Sequence, residues 1–370
     1  MIMEHVPTFI TVNGRKVSIK HILERDAVAH DSFEDHTFAF IRRWFSTDNT
    51  FTLQTSGSTG TPKKITVTRD QMIASATMTQ EALGLRKGFR ALVCLDTRYV
   101  AGQMMLVRCF VTQMEIYATT PVANPLQNHP DFDFVALVPY QVTAVLASSP
   151  HTFPATAICI VGGAPLDPAT IKALQPLSTT FYATYGMTET LSHIALRKLN
   201  GKDVSTNFNV LPGIKIEADS RQCLVIDAPY LTEQIITNDI VEILDQDTFR
   251  WLGRYDHVIN SGGVKIMPEE VEDVVGDFFS ELHYPERYFI AGEPDERLGE
   301  KVVLFVEGHI FSNEDQKTLS EKLRKSLPAY AIPKEVIVLD TFETTQTGKI
   351  NRLRSVQNID KTLQKFTLKK

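Results

Sequence analysis

Six short apolar runs, at residues 50–54, 90–94, 114–117, 134–138, 157–161 and 179–182, are separated by helix-like stretches such as 69–83 and 168–174. This alternation predicts a sheet layered with helices. Residues 168–174 follow Asp167 and place Pro168 at a first helical position, where its missing N–H costs nothing. From 214 to 251 the rhythm changes to short alternating segments, IKIEAD, CLVIDA and IVEILD, which predict an antiparallel barrel or sheet closing the first unit. After Gly253 it changes again, with helices expected at 268–278 and 313–327 and strands at 288–291, 301–307 and 336–339.

A chain of 370 residues that is 43% hydrophobic and 22% charged is an ordinary globular sequence long enough for two domains. The expected fold class is α/β plus α+β. A large N-terminal domain, residues 1–255, would carry layered sheets, helices and a small barrel-like β subdomain, and a small mobile α+β domain, 256–370, would follow a hinge.

The charge balance excludes some partners. Lys and Arg total 38 against 44 Asp and Glu, a net charge of −6, so the clustered basic face that displaces counterions from nucleic acid is not expected. Lys361, Lys365, Lys369 and Lys370 make only a basic, solvated end. The N-terminus MIMEHVPTF lacks the pattern of an export signal, and the longest apolar region, 134–147, is broken by Pro139 and Gln141 and is shorter than the ~18 residues of a membrane span. A cytoplasmic protein without membrane insertion is expected. Cys94, Cys109, Cys159 and Cys223 have wide, irregular spacing in apolar settings and read as small hydrophobes in strands, not as a metal clamp or disulfide frame.

Four segments carry chemistry. Thr55-Ser56-Gly57-Ser58-Thr59-Gly60-Thr61-Pro62-Lys63-Lys64 follows a predicted strand and concentrates hydroxyls, glycines and lysines, the makings of a polyphosphate-wrapping loop. Alone it is also compatible with a surface loop, and it lacks the Gly-Lys-Ser/Thr of a Walker A motif. Tyr185-Gly186-Met187-Thr188-Glu189-Thr190 comes at a strand's C-terminal end, with an aromatic face for a base, a hydroxyl for a phosphate and a carboxylate for Mg²⁺. A buried tyrosine with a helix-capping Thr/Glu pair is its plain alternative. GRYDHVINSGGVKI, residues 253–266, lies on the expected boundary with two adjacent glycines, and TGKINR, residues 347–352, puts a lysine beside a glycine.

Together, in order and spacing, these segments resemble the motifs of the adenylate-forming superfamily, which contains acyl- and aryl-CoA synthetases, firefly luciferase and peptide-synthetase adenylation domains. The family patterns are (S/T)SG(S/T)TGxPK, YGxTE, GRxDxxIxxGGxKI and a terminal GKIxR. The resemblance implies that Thr55, Ser56, Gly57, Ser58, Thr59, Gly60 and Lys63 hold the β- and γ-phosphates of ATP and Thr188 the α-phosphate. It implies that Glu189 ligates Mg²⁺, and that Gly162, Gly163, Ala164, Tyr185 and Gly186 frame the adenine. Asp239 and Arg254 would contact the ribose, and Lys349 would bridge the carboxylate and the α-phosphate. Asp256 would be the pivot, with Gly262, Gly263 and Lys265 turned toward coenzyme A after rotation.

This chain departs from the family at three points. Ala183 stands where Asn or Gln is usual, Asn238 replaces the Gly before Asp239, and only 54 residues precede Thr55, so part of the usual N-terminal subdomain is expected to be missing. The compactness resembles the short o-succinylbenzoate–CoA ligases, as do YGMTETLSHIAL and Tyr99-Val100-Ala101-Gly102, at the place of the family's acyl-pocket motif. A dianionic aromatic keto acid needs a flat slot and a second anion site, for which Arg98, Arg108 and His193 are the candidates, with Tyr99 and Gly102 in the pocket. Alternatives are another acyl-CoA or aryl-CoA ligase, a carrier-loading enzyme, or a silent nucleotide-binding module. The last has no use for Lys349 together with Glu189. A homodimer is compatible with the sequence.

Overall fold

The computed structural model describes residues 6–54, 64–127, 131–149, 152–155, 157–282, 287–344, 350–358 and 361–368. The chain opens with a hairpin, β1 (Phe9–Val12) and β2 (Arg15–Ser18), then helices α1 (Ile19–Leu23) and α2 (Ser32–Trp44). A separate two-stranded antiparallel sheet, β3 (Thr50–Gln54) with β4 (Lys64–Thr68), ends in register at Gln54↔Lys64. The alternating part follows: α3 (Arg69–Leu83), β5 (Arg90–Val93), α4 (Val100–Thr112), β6 (Glu115–Ala118), β7 (Phe134–Leu137), α5 (Pro139–Ser148), β8 (Ile158–Val161), α6 (Pro168–Leu174) and β9 (Thr180–Gly186). Then come β10 (His193–Lys198), β11 (Phe208–Val210), β12 (Lys215–Ala218), β13 (Cys223–Asp227), β14 (Ile235–Ile243) and β15 (Thr248–Arg254).

Among the described residues these strands, apart from β3 and β4, form one 13-stranded sheet in the order β12-β13-β14-β15-β11-β10-β9-β8-β7-β5-β6-β1-β2. The pairs among β5 to β9 are parallel, whereas those from β9 through β15 are antiparallel. The order reverses at β5, whose neighbours are β6 and β7, and ligands of α/β sheets collect at the C-terminal strand ends near such a point. Ala91, Val93, Phe134, Ala136 and Ile160 enter one core, and Leu92, Cys94, Val135, Leu137, Cys159 and Val161 another. Burial on both faces explains why these strands read as unbroken apolar runs.

The helices start where the sequence supplies caps. The side chain of Thr68 accepts from the backbone N of Gln71 and Gln71 caps back in α3, which ends at Gly84 with φ +63°. Asp167 caps α6 by accepting from the backbone N of Thr170 at 2.7 Å. Cys94, Cys109, Cys159 and Cys223 are free and buried; Cys159 and Cys223 lie in strands and Cys94 just past the end of β5, whereas Cys109 lies in α4, because VAGQMMLVRCFVT spreads its apolar residues round the axis and is buried as a helix.

A single turn, Tyr255–His257, leads to the second sheet: β16 (Ile259–Ser261), β17 (Val264–Ile266), β18 (Tyr288–Asp295), β19 (Gly299–Glu307), β20 (Glu335–Leu339) and β21 (Thr362–Thr367). Helices α7 (Pro268–Glu281) and α8 (Asn313–Ser326) bury Val271, Val275, Phe278, Leu319 and Leu323 against it, and α9 (Arg352–Gln357) comes last. Helix α7 also meets α6 at Gly276, where a Cβ would come within 3.1 Å of Pro168. No helix among the described residues is long and apolar enough to cross a membrane.

Candidate active site

The C-terminal ends of β8 and β9 make a backbone platform. Gly162 follows β8, and its N–H donates to the Leu137 carbonyl at 3.1 Å. A Cβ on Gly162 would stand 2.5 Å from Thr184 Oγ1, so a side chain has no room there, and Gly163 adopts φ +93°. Ala164 is exposed beside them. Bare backbone at a strand end lets a flat ring lie against the chain.

Next to it stands a polar cluster around Asp239. Tyr185 Oη donates to Asp239 Oδ2 at 2.7 Å, Trp251 Nε1 to Oδ1 at 3.3 Å, and Arg254 Nη1 lies 3.6 Å from Oδ1. The pairing Asp239↔Arg254 of β14 with β15 creates the last contact. Burial and the Asp239 carboxylate hold the Tyr185 phenol protonated, well above the usual tyrosine range. Trp251 and Thr184 were not singled out from the sequence. Trp251 stands three residues before Arg254, and Thr184 sits inside the strand leading into Tyr185.

The turn joining β9 to β10 is locked from within. Thr190 Oγ1 accepts from the Met187 N–H at 3.0 Å and reaches the Ser192 carbonyl at 2.7 Å, while Tyr230 Oη donates to the Thr190 carbonyl at 3.0 Å. Gly186 packs so closely on Ser192 and His193 that a Cβ would overlap their backbone. This is a turn between antiparallel strands, so Thr188 and Glu189 do not cap a helix. The Thr188 hydroxyl and Glu189 carboxylate have no partner among the described residues, and Glu189 is exposed, which fits a carboxylate kept for a hard cation.

Beneath this turn lies a buried polar group. Arg108 on α4 donates from Nη2 to Ser192 Oγ and lies 3.4 Å from His193 Nδ1, while His193 Nε2 lies 3.1 Å from Thr79 Oγ1 on α3. Arg108 is 2% exposed, its Nε has no partner, and no carboxylate pairs with it among the described residues. Burial lowers its pKa to about 10, and burial together with Arg108 pushes His193 well below 6.5. Arg98 takes no part, for it is exposed and bound to Asp96 at 2.9 Å, over the ring of Tyr99. Gly102 serves packing, since a Cβ there would approach the Asp96 carbonyl oxygen to 2.5 Å.

Asp256 accepts from Arg254 Nε at 2.9 Å at the turn between the sheets, and His257 Nδ1 lies 3.0 Å from Glu269 Oε1. Gly262 and Gly263, at φ +59° and +82°, turn β16 into β17, where Lys265 is exposed. Thr55, Ser56, Gly57, Ser58, Thr59, Gly60, Lys63 and Lys349 lie outside the described residues. The site thus brings together Gly162, Gly163, Thr184, Tyr185, Asp239 and Arg254, and separately Arg108, Ser192 and His193.

Residues 8–221 match the AMP-binding enzyme family and 286–349 the AMP-binding enzyme C-terminal domain. The chain is 28% identical over 323 residues to a 2-succinylbenzoate–CoA ligase of Lactococcus lactis, covering 81% of this chain and 69% of that protein. An acyl-CoA synthetase (AMP-forming)/AMP-acid ligase II-like protein of Dyadobacter fermentans has a solved structure that is 39% identical, with a TM-score of 0.60 over 91% of this chain and 97% of that one. The o-succinylbenzoate CoA synthetase of Bacillus subtilis, solved with its acyl-adenylate intermediate, shares the fold at a TM-score of 0.69 and 19% identity, over 82% of this chain and 68% of that one. The protein belongs to the AMP-binding enzyme family, the adenylate-forming enzymes.

Proposed function

We propose that the protein is an AMP-forming acid–thiol ligase that activates o-succinylbenzoate and passes the acyl group to coenzyme A. The observation that carries the choice of acid is Arg108, a buried guanidinium without a carboxylate, next to the turn that presents Thr188 and Glu189. An unpaired buried cation is expensive, and an acid with a second carboxylate supplies the missing counter-charge. The 2-succinylbenzoate–CoA ligase relatives support the same choice.

In the first step a carboxylate oxygen of the acid attacks the α-phosphorus of ATP, the bond to the β-phosphate breaks, and pyrophosphate leaves. Gly162, Gly163 and the Tyr185 ring would hold the base, Asp239 and Arg254 the ribose, and Thr188 the α-phosphate. The segment 55–63 would hold the outer phosphates and Lys349 the charge growing between acid and phosphorus. Glu189 would hold Mg²⁺, which when bound would supply positive charge to stabilise the leaving pyrophosphate. In the second step the thiol of coenzyme A attacks the acyl carbon, AMP leaves, and the thiol proton goes to solvent. Residues 1–255 and 256–370 would act as two units about Asp256, with Gly262, Gly263 and Lys265 facing the thiol substrate in the second step.

The test is an acid panel with ATP, Mg²⁺ and coenzyme A. We expect acid-dependent release of AMP and pyrophosphate, with o-succinylbenzoate giving the highest kcat/KM. Release of ADP and phosphate would overturn the reaction class, and equal activity on benzoate would overturn the substrate.

A further inference from the structure

Arg221, in the turn before β13, has no role in the chemistry above, yet its guanidinium is held on every edge. Nε donates to Asp219 Oδ2 at 2.9 Å, Nη1 to Asn238 Oδ1 at 2.9 Å and Nη2 to the Thr237 carbonyl at 3.1 Å. Asp219 is itself fixed, because its Oδ1 accepts from the backbone N–H of Arg221 and of Cys223 at 2.8 and 2.9 Å. One face of the guanidinium is covered by Tyr255, whose ring centroid is 5.2 Å from Cζ.

The partners belong to two different pieces of the molecule. Thr237 and Asn238 lead directly into Asp239, and Thr237 Oγ1 accepts from the Asp239 N–H at 3.0 Å, so they set where that carboxylate stands. Tyr255 opens the single turn that joins the two sheets. One planar cation therefore ties the strand carrying Asp239 to the start of the connection. A fork of hydrogen bonds in the plane and an aromatic ring on the face is an arrangement that Lys cannot reproduce.

We propose that Arg221 is a positioning residue that couples occupation of the nucleotide pocket to the freedom of the Tyr255–His257 turn. The proposal rests on the reading that Asp239 contacts the nucleotide ribose. A nucleotide that fixes Asp239 fixes Thr237 and Asn238, and through Arg221 it favours the backbone arrangement in which Tyr255 lies on the guanidinium. Because such coupling is reciprocal, loss of the link weakens nucleotide binding as well. Asn238, where the family resemblance has glycine, supplies one of the three acceptors.

The test uses the full chain and AMP as probe, with affinity measured by calorimetry and amide exchange followed at residues 255–258 with and without saturating AMP. In the wild type, AMP slows exchange at these residues. Arg221→Ala and Arg221→Lys lose that response and bind AMP roughly five- to tenfold more weakly. Tyr255→Leu also loses the response and weakens AMP by no more than Arg221→Ala does, and adding it to Arg221→Ala weakens AMP no further, a non-additivity that general destabilisation does not produce. Wild-type AMP affinity in Arg221→Ala, or an unchanged response of residues 255–258 in it, would overturn the proposal. A wild type that binds no AMP at all overturns the nucleotide reading beneath it, so the two failures are told apart.

Discussion

Tyr185 and Asp239 are joined by a 2.7 Å hydrogen bond although their strands, β9 and β14, are separated in the sheet order by β10, β11 and β15. Strands lie about 4.8 Å apart, so a flat sheet would hold these residues roughly 19 Å from each other, beyond the reach of the two side chains. The antiparallel part must curl, and Phe208 and Phe249 fill the curl against the Tyr185 ring at centroid distances of 5.7 and 5.1 Å. The antiparallel strands thus continue the main sheet and also take a barrel-like form, and the curl brings Tyr185, Asp239, Trp251 and Arg254 together in the proposed nucleotide pocket.

Removing only the phenol oxygen tests how that bond is used. Tyr185→Phe keeps the ring and leaves Asp239 with Trp251 and Arg254, so AMP affinity should stay within about threefold. Asp239→Asn removes the charged acceptor and should weaken AMP by about 10- to 150-fold, the equivalent of ~1.5 to 3 kcal/mol for a charged hydrogen bond. Calorimetric titration with AMP distinguishes the two.

Arg108 should govern the choice of acid. Arg108→Met is expected to lower kcat/KM for o-succinylbenzoate by about 10- to 150-fold while leaving mono-acids within about threefold, because only the dianion loses a charge-assisted partner. Arg98→Ala, which removes a guanidinium already satisfied by Asp96, should change neither. Steady-state kinetics on an acid panel checks both.

His193 should impose an acid limit on stability. Its folded-state pKa lies well below the 6.5 of the free side chain, through burial and then through Arg108. The unfolded chain therefore binds the additional proton, so the His193 contribution is present above pH 6.5 and is lost as pH falls below it. Urea denaturation between pH 5 and 8 should show that fall, and His193→Gln should flatten it.

A methyl group at Gly162 should damage the platform through one identifiable contact. Gly162→Ala places its Cβ on Thr184 Oγ1, while Thr184 Cβ is 3.8 Å away, so Thr184→Ala in the same chain removes the clash. We expect Gly162→Ala to lower both melting temperature and AMP affinity, and the double variant to recover most of each. No recovery would mean that the platform tolerates no side chain for another reason.

The two half-reactions should separate. Lys349→Ala is expected to collapse acyl-adenylate formation yet leave capture of a supplied acyl-adenylate by coenzyme A within a few-fold of wild type. Asp256→Pro fixes φ near −65° at the proposed pivot and should slow the thioester step more. Quench-flow on each half decides it: equal damage to both halves by Lys349→Ala would exclude alternation of the two units.

What the sequence determined by itself is local. Strands β5, β7 and β8 were legible because burial on both faces demands an unbroken apolar run, and α6 because Asp167 and Pro168 mark its start. The family was legible because its motifs need particular residues at adjacent positions. Helix α4 was not, since its apolar residues cover every face and leave no period, and β4 and β10 were hidden beside the motifs they flank. The tertiary structure alone decided which side chains meet. Arg98 and Arg108 stand ten positions apart on the same segment, and composition cannot tell them apart. Arg98 satisfies itself on Asp96 two residues away, whereas α4 turns Arg108 toward Ser192 and His193 of a distant strand. Hydrogen-bond periodicity and capping are written over a few neighbouring residues, but the curl of a sheet and the face a helix buries arise from packing among segments far apart in the chain, so the partners of Asp239 and Arg108 emerge only in the folded molecule.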